Sequence, residues 1–203
     1  MAHNKKSTFK LMLFETPRIQ AFLLTKSYAK RLSSYYTENS DHLARWEPLR
    51  PQNYNSVDSW AKRCGEFEEE FASGSALRIL GFQTNAQKIA GVCNFTSISR
   101  GPFQACYLGY SIAKTSAGQG LMTEFVEAAT NYVFAELDLH RIMANYVTEN
   151  VRSARILEKL GFEKEGYAKS YLKIAGTWRD HVLTAKINPN HIDQQAVSKD
   201  SQV

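Results

Sequence analysis

The sequence predicts a mixed α/β domain (α+β in its segregation), built as a single mixed, mostly antiparallel sheet of about seven strands with helices on both faces. Three observations predict it. Apolar stretches at 76–82, 89–98 and 105–113 have strand length and are separated by turn residues, which reads as an antiparallel meander. A long amphipathic helix then follows a glycine turn and leads to a further apolar stretch at 141–147. The unit 105–147 is therefore expected to be a right-handed crossover between parallel strands. Finally, 203 residues with 43% hydrophobic and 22% charged composition suit one core.

Taken in order, residues 1–15 are expected to form a flexible arm, and the apolar segment 18–25 a first strand. Ser27 is placed to cap a helix over 28–38, and a second helical piece runs over 40–46 before Pro48 and Pro51 break the pattern. Ser56 opens a longer helix in which Val57, Trp60, Ala61, Cys64, Phe67 and Phe71 recur at helical spacing, with Gly74 closing it. The meander follows, with turns at Thr84-Asn85-Ala86-Gln87 and Gly101-Pro102. In its third strand Cys106, Leu108, Tyr110 and Ile112 face one way, and Tyr107, Gly109 and Ser111 the other. The helix after Gly120 carries Leu121, Met122, Phe125, Val126, Ala129, Tyr132 and Val133 on its apolar face. Asn150 starts a shorter helix that turns Ala154, Leu157 and Leu160 inward and ends at Gly161. Strands at 163–174 and 178–187 join through Ala175-Gly176-Thr177. The domain is thus expected over 16–187, with a polar, disordered tail at 188–203.

Composition removes several function classes. Three cysteines, an odd number with no CxxC pair, argue against a disulfide framework or a zinc site, and no metal is expected. No apolar run approaches the roughly 20 residues of a membrane span. The apolar residues from Leu11 to Phe14 are too few for a signal sequence, so a cytoplasmic protein is expected. The net charge of +5 is spread along the chain, without the clustered basic stripe that nucleic-acid binding needs. Neither DNA nor a membrane is expected as a partner. The basic balance leaves open an RNA-contacting or ribosome-assembly role.

The chemistry centres on Gly118-Gln119-Gly120, where a strand gives way to a helix. The first N–H groups of a helix lack intrahelical partners, and the helix dipole adds partial positive charge there. Two glycines one residue apart let an anion approach the backbone. A P-loop would need Gly-Lys-Ser/Thr, whereas Gly120 precedes Leu121-Met122. A dinucleotide fingerprint would need a third small residue where Thr123 stands.

Leu108-Gly109-Tyr110-Ser111-Ile112 followed by Gly118-Gln119-Gly120-Leu121-Met122 resembles the acetyl-CoA motif of the GNAT acetyltransferases. Asn150-Val151-Arg152-Ser153-Ala154 and Leu160-Gly161-Phe162 resemble that family's second conserved region, in the branch that acetylates ribosomal-protein N-termini. Trp46-Glu47-Pro48 and the stretch from Trp178 to Ala185 carry the same likeness, which covers about residues 16–187. Thr115 departs from the family pattern, which has Gln or Arg there. The resemblance implies a GNAT fold, acetyl-CoA as donor substrate, and direct transfer to an amine. The implied acceptor is the N-terminal alanine of a small-subunit ribosomal protein, with a small-molecule amine such as a polyamine or amino sugar as the alternative; pre-ribosomal particles are a further partner only on the ribosome-assembly reading that the basic balance leaves open. The resemblance also implies donor-binding residues: Ser111, Ile112, Gly118, Gln119, Gly120, Leu121, Met122, Asn150 and Ser153. A backbone N–H between Tyr110 and Ile112 would face the thioester oxygen. Ser153 or Tyr110 would supply a proton to the leaving sulfur, and Glu47 would receive the ammonium or act as base. Each has a plainer role open to it: Asn150 as helix cap with Ser153 in the first turn, Tyr107 and Tyr110 as core, Glu47 as surface. Asp180 and His181 could relay protons or serve only as structure.

Overall fold

The computed structural model describes residues 11–84 and 86–191. Strands β1 (Met12–Glu15), β2 (Ile19–Leu23), β3 (Leu77–Gln83), β4 (Ile89–Ser99) and β5 (Ala105–Ile112) lie side by side in that order, every pair antiparallel. Between β2 and β3 the chain inserts helices α1 (Ala29–Glu38), α2 (Ser40–Leu43) and α3 (Val57–Ala72). They cover one face, packing Tyr28, Leu32, Tyr35, Trp60 and Cys64 against Leu80, Phe82, Ile89 and Val92. Helix α4 (Leu121–Leu137) covers the other, setting Leu121, Phe125, Val126 and Val133 against Ile19, Ala21, Ile79 and Cys93. Helix α5 (Val151–Lys159) joins that second layer through Leu157. Two covered faces explain why β3 reads Leu-Arg-Ile-Leu-Gly-Phe rather than alternating with polar residues: Ile79 and Leu80 enter opposite cores.

Helix α3 starts where Ser56 stands with extended backbone, its hydroxyl accepting from the Ser59 N–H at 3.2 Å. Replacing Ser56 by alanine removes this cap and is expected to cost about 1 kcal/mol of stability, read as a lower urea midpoint at unchanged slope.

The sheet changes character after α4. β6 (Arg141–Met143) runs parallel to β5 over three residue pairs, from Ala105↔Arg141 to Tyr107↔Met143, as the crossover predicts. β7 (Tyr146–Val147) does not continue that pairing. β9 (Thr177–Ile187) spans both, bonding β6 and β7 on one edge and β8 (Glu163–Ile174) on the other. From Leu108 onward, β5 therefore has no strand beside it on the β6–β7 side, and a V-shaped gap opens there.

Among the described residues the sheet has nine strands where about seven are predicted. One extra strand is β1, four residues inside the expected arm, which pairs Glu15 with Gln20 and Met12 with Phe22 across an irregularity. Residues 12–15 are thus part of the sheet, and residues 1–10 of the expected arm lie outside the described residues. The other arises because the expected strand 141–147 is broken at Ala144-Asn145. There the Ala144 N–H donates to the Thr184 carbonyl, and the Asn145 side chain accepts from the Thr184 N–H. Ser27 does not cap α1: it lies in a 3-10 turn, Lys26–Tyr28, and its hydroxyl bonds Thr25 instead. At the other end Asn188 is buried, and its side chain donates to the Leu139 carbonyl at 3.0 Å. The expected tail thus loses 188–191 to the fold, and 192–203 fall outside the described residues. Asn85 of the predicted turn is outside them too. Among the described residues, no helix is long and apolar enough to cross a membrane.

Candidate active site

The open end of the V is closed by the turn between β5 and α4. A 3-10 turn, Lys114–Ser116, carries the chain past Ala117 to Gly118 at φ 79° and Gly120 at φ 75°, both left-handed, a region glycine enters without strain. Gly120 is the N-cap of α4, and the Glu124 N–H is bonded to its carbonyl at 3.2 Å. The N–H groups of Leu121, Met122 and Thr123 precede that first helical bond and are left for an outside acceptor. The turn is braced from within by the Gln119 side chain, which donates to the Thr115 carbonyl at 3.0 Å. It is braced from outside by Arg18 Nη1, which donates to the Gln119 carbonyl at 2.9 Å.

A cleft of about 400 Å³ runs from this turn into the gap. Tyr110, Ser111 and Ile112 of β5 form one wall with Gly118, Gly120, Met122 and Thr123; Asn150, Arg152, Ser153, Arg155 and Ile156 form the other. His42, Leu43, Trp46 and Glu47 roof it. An adjoining hollow of about 520 Å³ shares His42, Trp46, Asn150 and Arg152 and extends it outward.

Two hydroxyls meet across the V: Tyr110 Oη and Ser153 Oγ share a hydrogen bond of 2.7 Å. Asn150 holds that serine in place, its Oδ1 accepting from the Ser153 N–H at 3.1 Å as the cap of α5. Asn150 and Ser153 thus both build the helix start and line the cleft. Burial pushes the Tyr110 hydroxyl well above the usual tyrosine range, so it holds its proton at neutral pH; the Ser153 hydrogen bond opposes this only in part. Below Ser111, its hydroxyl pairs with Tyr35 Oη at 2.9 Å.

Glu47 sits at the roof beside Tyr36 and Tyr35. Burial raises its carboxyl above the ordinary value, and the Arg50 and Arg63 guanidinium groups pull the other way. Arg63 is itself fixed between the Tyr54 and Trp60 rings, 3.7 and 3.5 Å from their centroids, and Trp60 stacks on Tyr36 at 4.7 Å. The Glu47 carbonyl accepts from the Ala175 N–H at 2.9 Å, which ties the roof to the tip of the β8–β9 hairpin.

Other candidates are placed elsewhere. The Leu121 side chain enters the core, 1% exposed, so it can serve the cleft only through its N–H. The Gln119 side chain folds back on its own turn. Tyr107 lies on β5 outside the cleft, 39% exposed. Asp180 is half-buried and bonds Tyr167 and the Ser170 N–H, holding the irregular part of the hairpin. His181 is buried, its Nδ1 at 3.0 Å from the Arg179 carbonyl and its ring against Tyr171. Neither Asp180 nor His181 lines the cleft: Asp180 is taken up by Tyr167 and Ser170 of β8, and His181 by Tyr171. Among the described residues, no group of three or more His, Cys, Asp or Glu is placed to hold a metal. The three cysteines are free and buried, with burial pushing the Cys64 and Cys106 thiols up to about 11 and about 12.

Sequence reasoning missed four contributors. Arg152 and Arg155, three apart in the first turns of α5, were legible as a basic pair on one helix face. His42 and Arg18 carry no local signal; Arg18 meets the turn only through the folding of β2 beside α4.

Residues 23–163 match the Acetyltransferase (GNAT) domain family. The chain is 46% identical over 175 residues, 86% of its own length and 90% of the relative's, to a [ribosomal protein uS5]-alanine N-acetyltransferase of Escherichia coli K12. It superposes on the crystal structure of a ribosomal-protein-S5-alanine acetyltransferase from Vibrio fischeri with a TM-score of 0.84 and 37% identity, covering 89% of this chain and 98% of that one. Mycobacterium smegmatis RimJ, solved in complex with CoA-disulfide, gives a TM-score of 0.80 at 25% identity over 90% and 88% of the two chains. With the glycine-capped turn, the splayed β5 and this extent of likeness, the chain belongs to the GNAT acetyltransferase family.

Proposed function

We propose that the protein transfers an acetyl group from acetyl-CoA to the α-amine of an N-terminal alanine, on the small-subunit ribosomal protein uS5. The carrying observation is a single cleft that joins an anion-binding helix start to the Tyr110–Ser153 hydroxyl pair. Acetyl-CoA supplies the acetyl group as a thioester. The site fits such a donor: the free N–H groups after Gly120, with Arg152 and Arg155 opposite, suit a pyrophosphate, and the gap beside β5 suits an extended arm. The donor-binding set is then Ser111, Ile112, Gly118, Gln119, Gly120, Leu121, Met122, Asn150 and Ser153, with Gln119 and Leu121 acting through the backbone.

The unpaired edge of β5 between Tyr110 and Ile112 offers its N–H to the oxygen on which negative charge develops. Tyr110 and Ser153 act as one unit, handing a proton to the departing sulfur as the C–S bond breaks and the C–N bond forms. An N-terminal α-amine has a pKa of about 7.7–8.0, so much of it is neutral near pH 8 and a modest base is enough. Glu47 fills that place as the base: it takes the proton that the neutral amine loses as it attacks. A ribosomal-protein acceptor supports a cytoplasmic location.

The test is direct. The full chain, incubated with acetyl-CoA and a peptide bearing the uS5 N-terminus, is expected to add one acetyl group by mass and to release one equivalent of CoA. The same peptide with a blocked α-amine should stay unmodified. Acetylation of polyamines with none of the alanine peptide would overturn the assignment.

A further inference from the structure

Glu124 is an unexpected neighbour for a phosphate. It stands in the first turn of α4, immediately after the N–H groups left free for an anion. A carboxylate there favours the helix but competes with any second anion for the same partial positive charge. The structure contains that charge. The Thr16 hydroxyl donates to Glu124 Oε1 at 2.6 Å, the Arg18 N–H donates to the same oxygen at 3.0 Å, and Arg18 Nε donates to Oε2 at 2.6 Å. Burial works against the ionised form, yet these hydrogen bonds and the guanidinium outweigh it and hold the carboxyl below the usual range. The same guanidinium reaches the turn itself. Nη1 bonds the Gln119 carbonyl, and a Cβ placed on Gly120 would meet Nη2 at 3.6 Å. Thr16 and Arg18 lie N-terminal to the residues matched by the family.

We propose that Arg18 is a positioning residue for the donor's pyrophosphate: it neutralises Glu124 in the first turn of α4 and pins the Gln119 carbonyl, keeping the Gly118–Gly120 turn open to an anion. It acts through the turn and not by touching the donor, and it rests on the acetyl-CoA reading of the cleft. Without Arg18, a carboxylate is left beside the pyrophosphate, and the turn loses its outer brace. Arg152 and Arg155, the cations that line the cleft, stay in place.

The experiment measures CoA binding by calorimetry for the wild type, Arg18→Met, and Arg18→Met combined with Glu124→Gln. Thermal melts check folding, and KM is measured in parallel for acetyl-CoA and for S-acetylpantetheine, a thioester with neither pyrophosphate nor nucleotide. Arg18→Met is expected to weaken CoA binding roughly tenfold, with kcat little changed, and the second substitution to recover most of the loss. The KM for S-acetylpantetheine should not move. Equal losses with both donors, no recovery in the double variant, or unchanged CoA affinity in Arg18→Met would each overturn the proposal. Should Arg18→Met melt early, Arg18→Lys keeps the charge without the two-pronged contact; an S-acetylpantetheine KM that rises as much as that for acetyl-CoA overturns the proposal there too. A wild type that binds no CoA would overturn the acetyl-CoA reading instead, and this assignment with it.

Discussion

Glu47→Gln is expected to lower kcat/KM for the alanine peptide by about 10²–10⁴ at neutral pH, the usual worth of a positioned general base. The isosteric amide keeps the roof packed and leaves the Ala175 hydrogen bond intact, because that bond uses the backbone carbonyl. The pH profile separates this role from a steric one. Both the acceptor amine and Glu47 must be deprotonated, so the wild-type rate should fall on acidification with a limiting slope of two. Since burial raises the Glu47 carboxyl, its loss begins at a higher pH than for an exposed glutamate. In the variant only the amine titrates, and the slope should drop to one with a midpoint of about 7.7–8.0. An unchanged rate and an unchanged slope would remove Glu47 from the chemistry.

The largest loss of stability is expected at Phe125, which is 1% exposed. Its ring fills the space left by the missing side chain of Gly81, where a Cβ would come within 2.8 Å of it, and it also approaches Gly91. Those glycines let α4 settle directly on β3 and β4. Truncation to alanine leaves a void lined by backbone that cannot relax into it, so Phe125→Ala should cost about 3–5 kcal/mol. Against a typical total of about 5–15 kcal/mol, that is a large share. Equilibrium urea unfolding should show a lower midpoint with an unchanged slope. A loss below about 1 kcal/mol would mean that the helix closes the gap by sliding on the sheet.

What the sequence made legible was local. The meander announced itself by strand length and turn residues, α3 by Ser56 and its helical spacing, and α4 by Gly120 followed by an apolar stripe. The anion turn and the Asn150 cap were legible for the same reason: each is a backbone requirement met by its own residues. What stayed hidden depends on distant partners. Met12–Glu15 is too short to stand out and is a strand only because Ile19–Leu23 lies beside it. The break at Ala144-Asn145 is made by Thr184, whose N–H, carbonyl and hydroxyl all bond into it. Arg18 is an ordinary exposed arginine until α4 brings Glu124 and the Gln119 carbonyl to it. The glycine turn could therefore be found from its own residues, while the roof of the cleft, assembled from His42, Trp46, Glu47 and the tyrosines beneath them, belongs to the tertiary fold.

The hydrogen bond from Ala175 to the Glu47 carbonyl bears on the order in which the enzyme is made. The roof emerges early in synthesis, but its anchor is the tip of the last hairpin, threaded out only after every other strand except β9. A chain cut short before Ala175 also lacks β9, the strand that bonds β6 and β7, so neither the roof nor the α5 wall of the cleft is fastened. Competence for transfer thus arrives late, as a property of the nearly finished polypeptide.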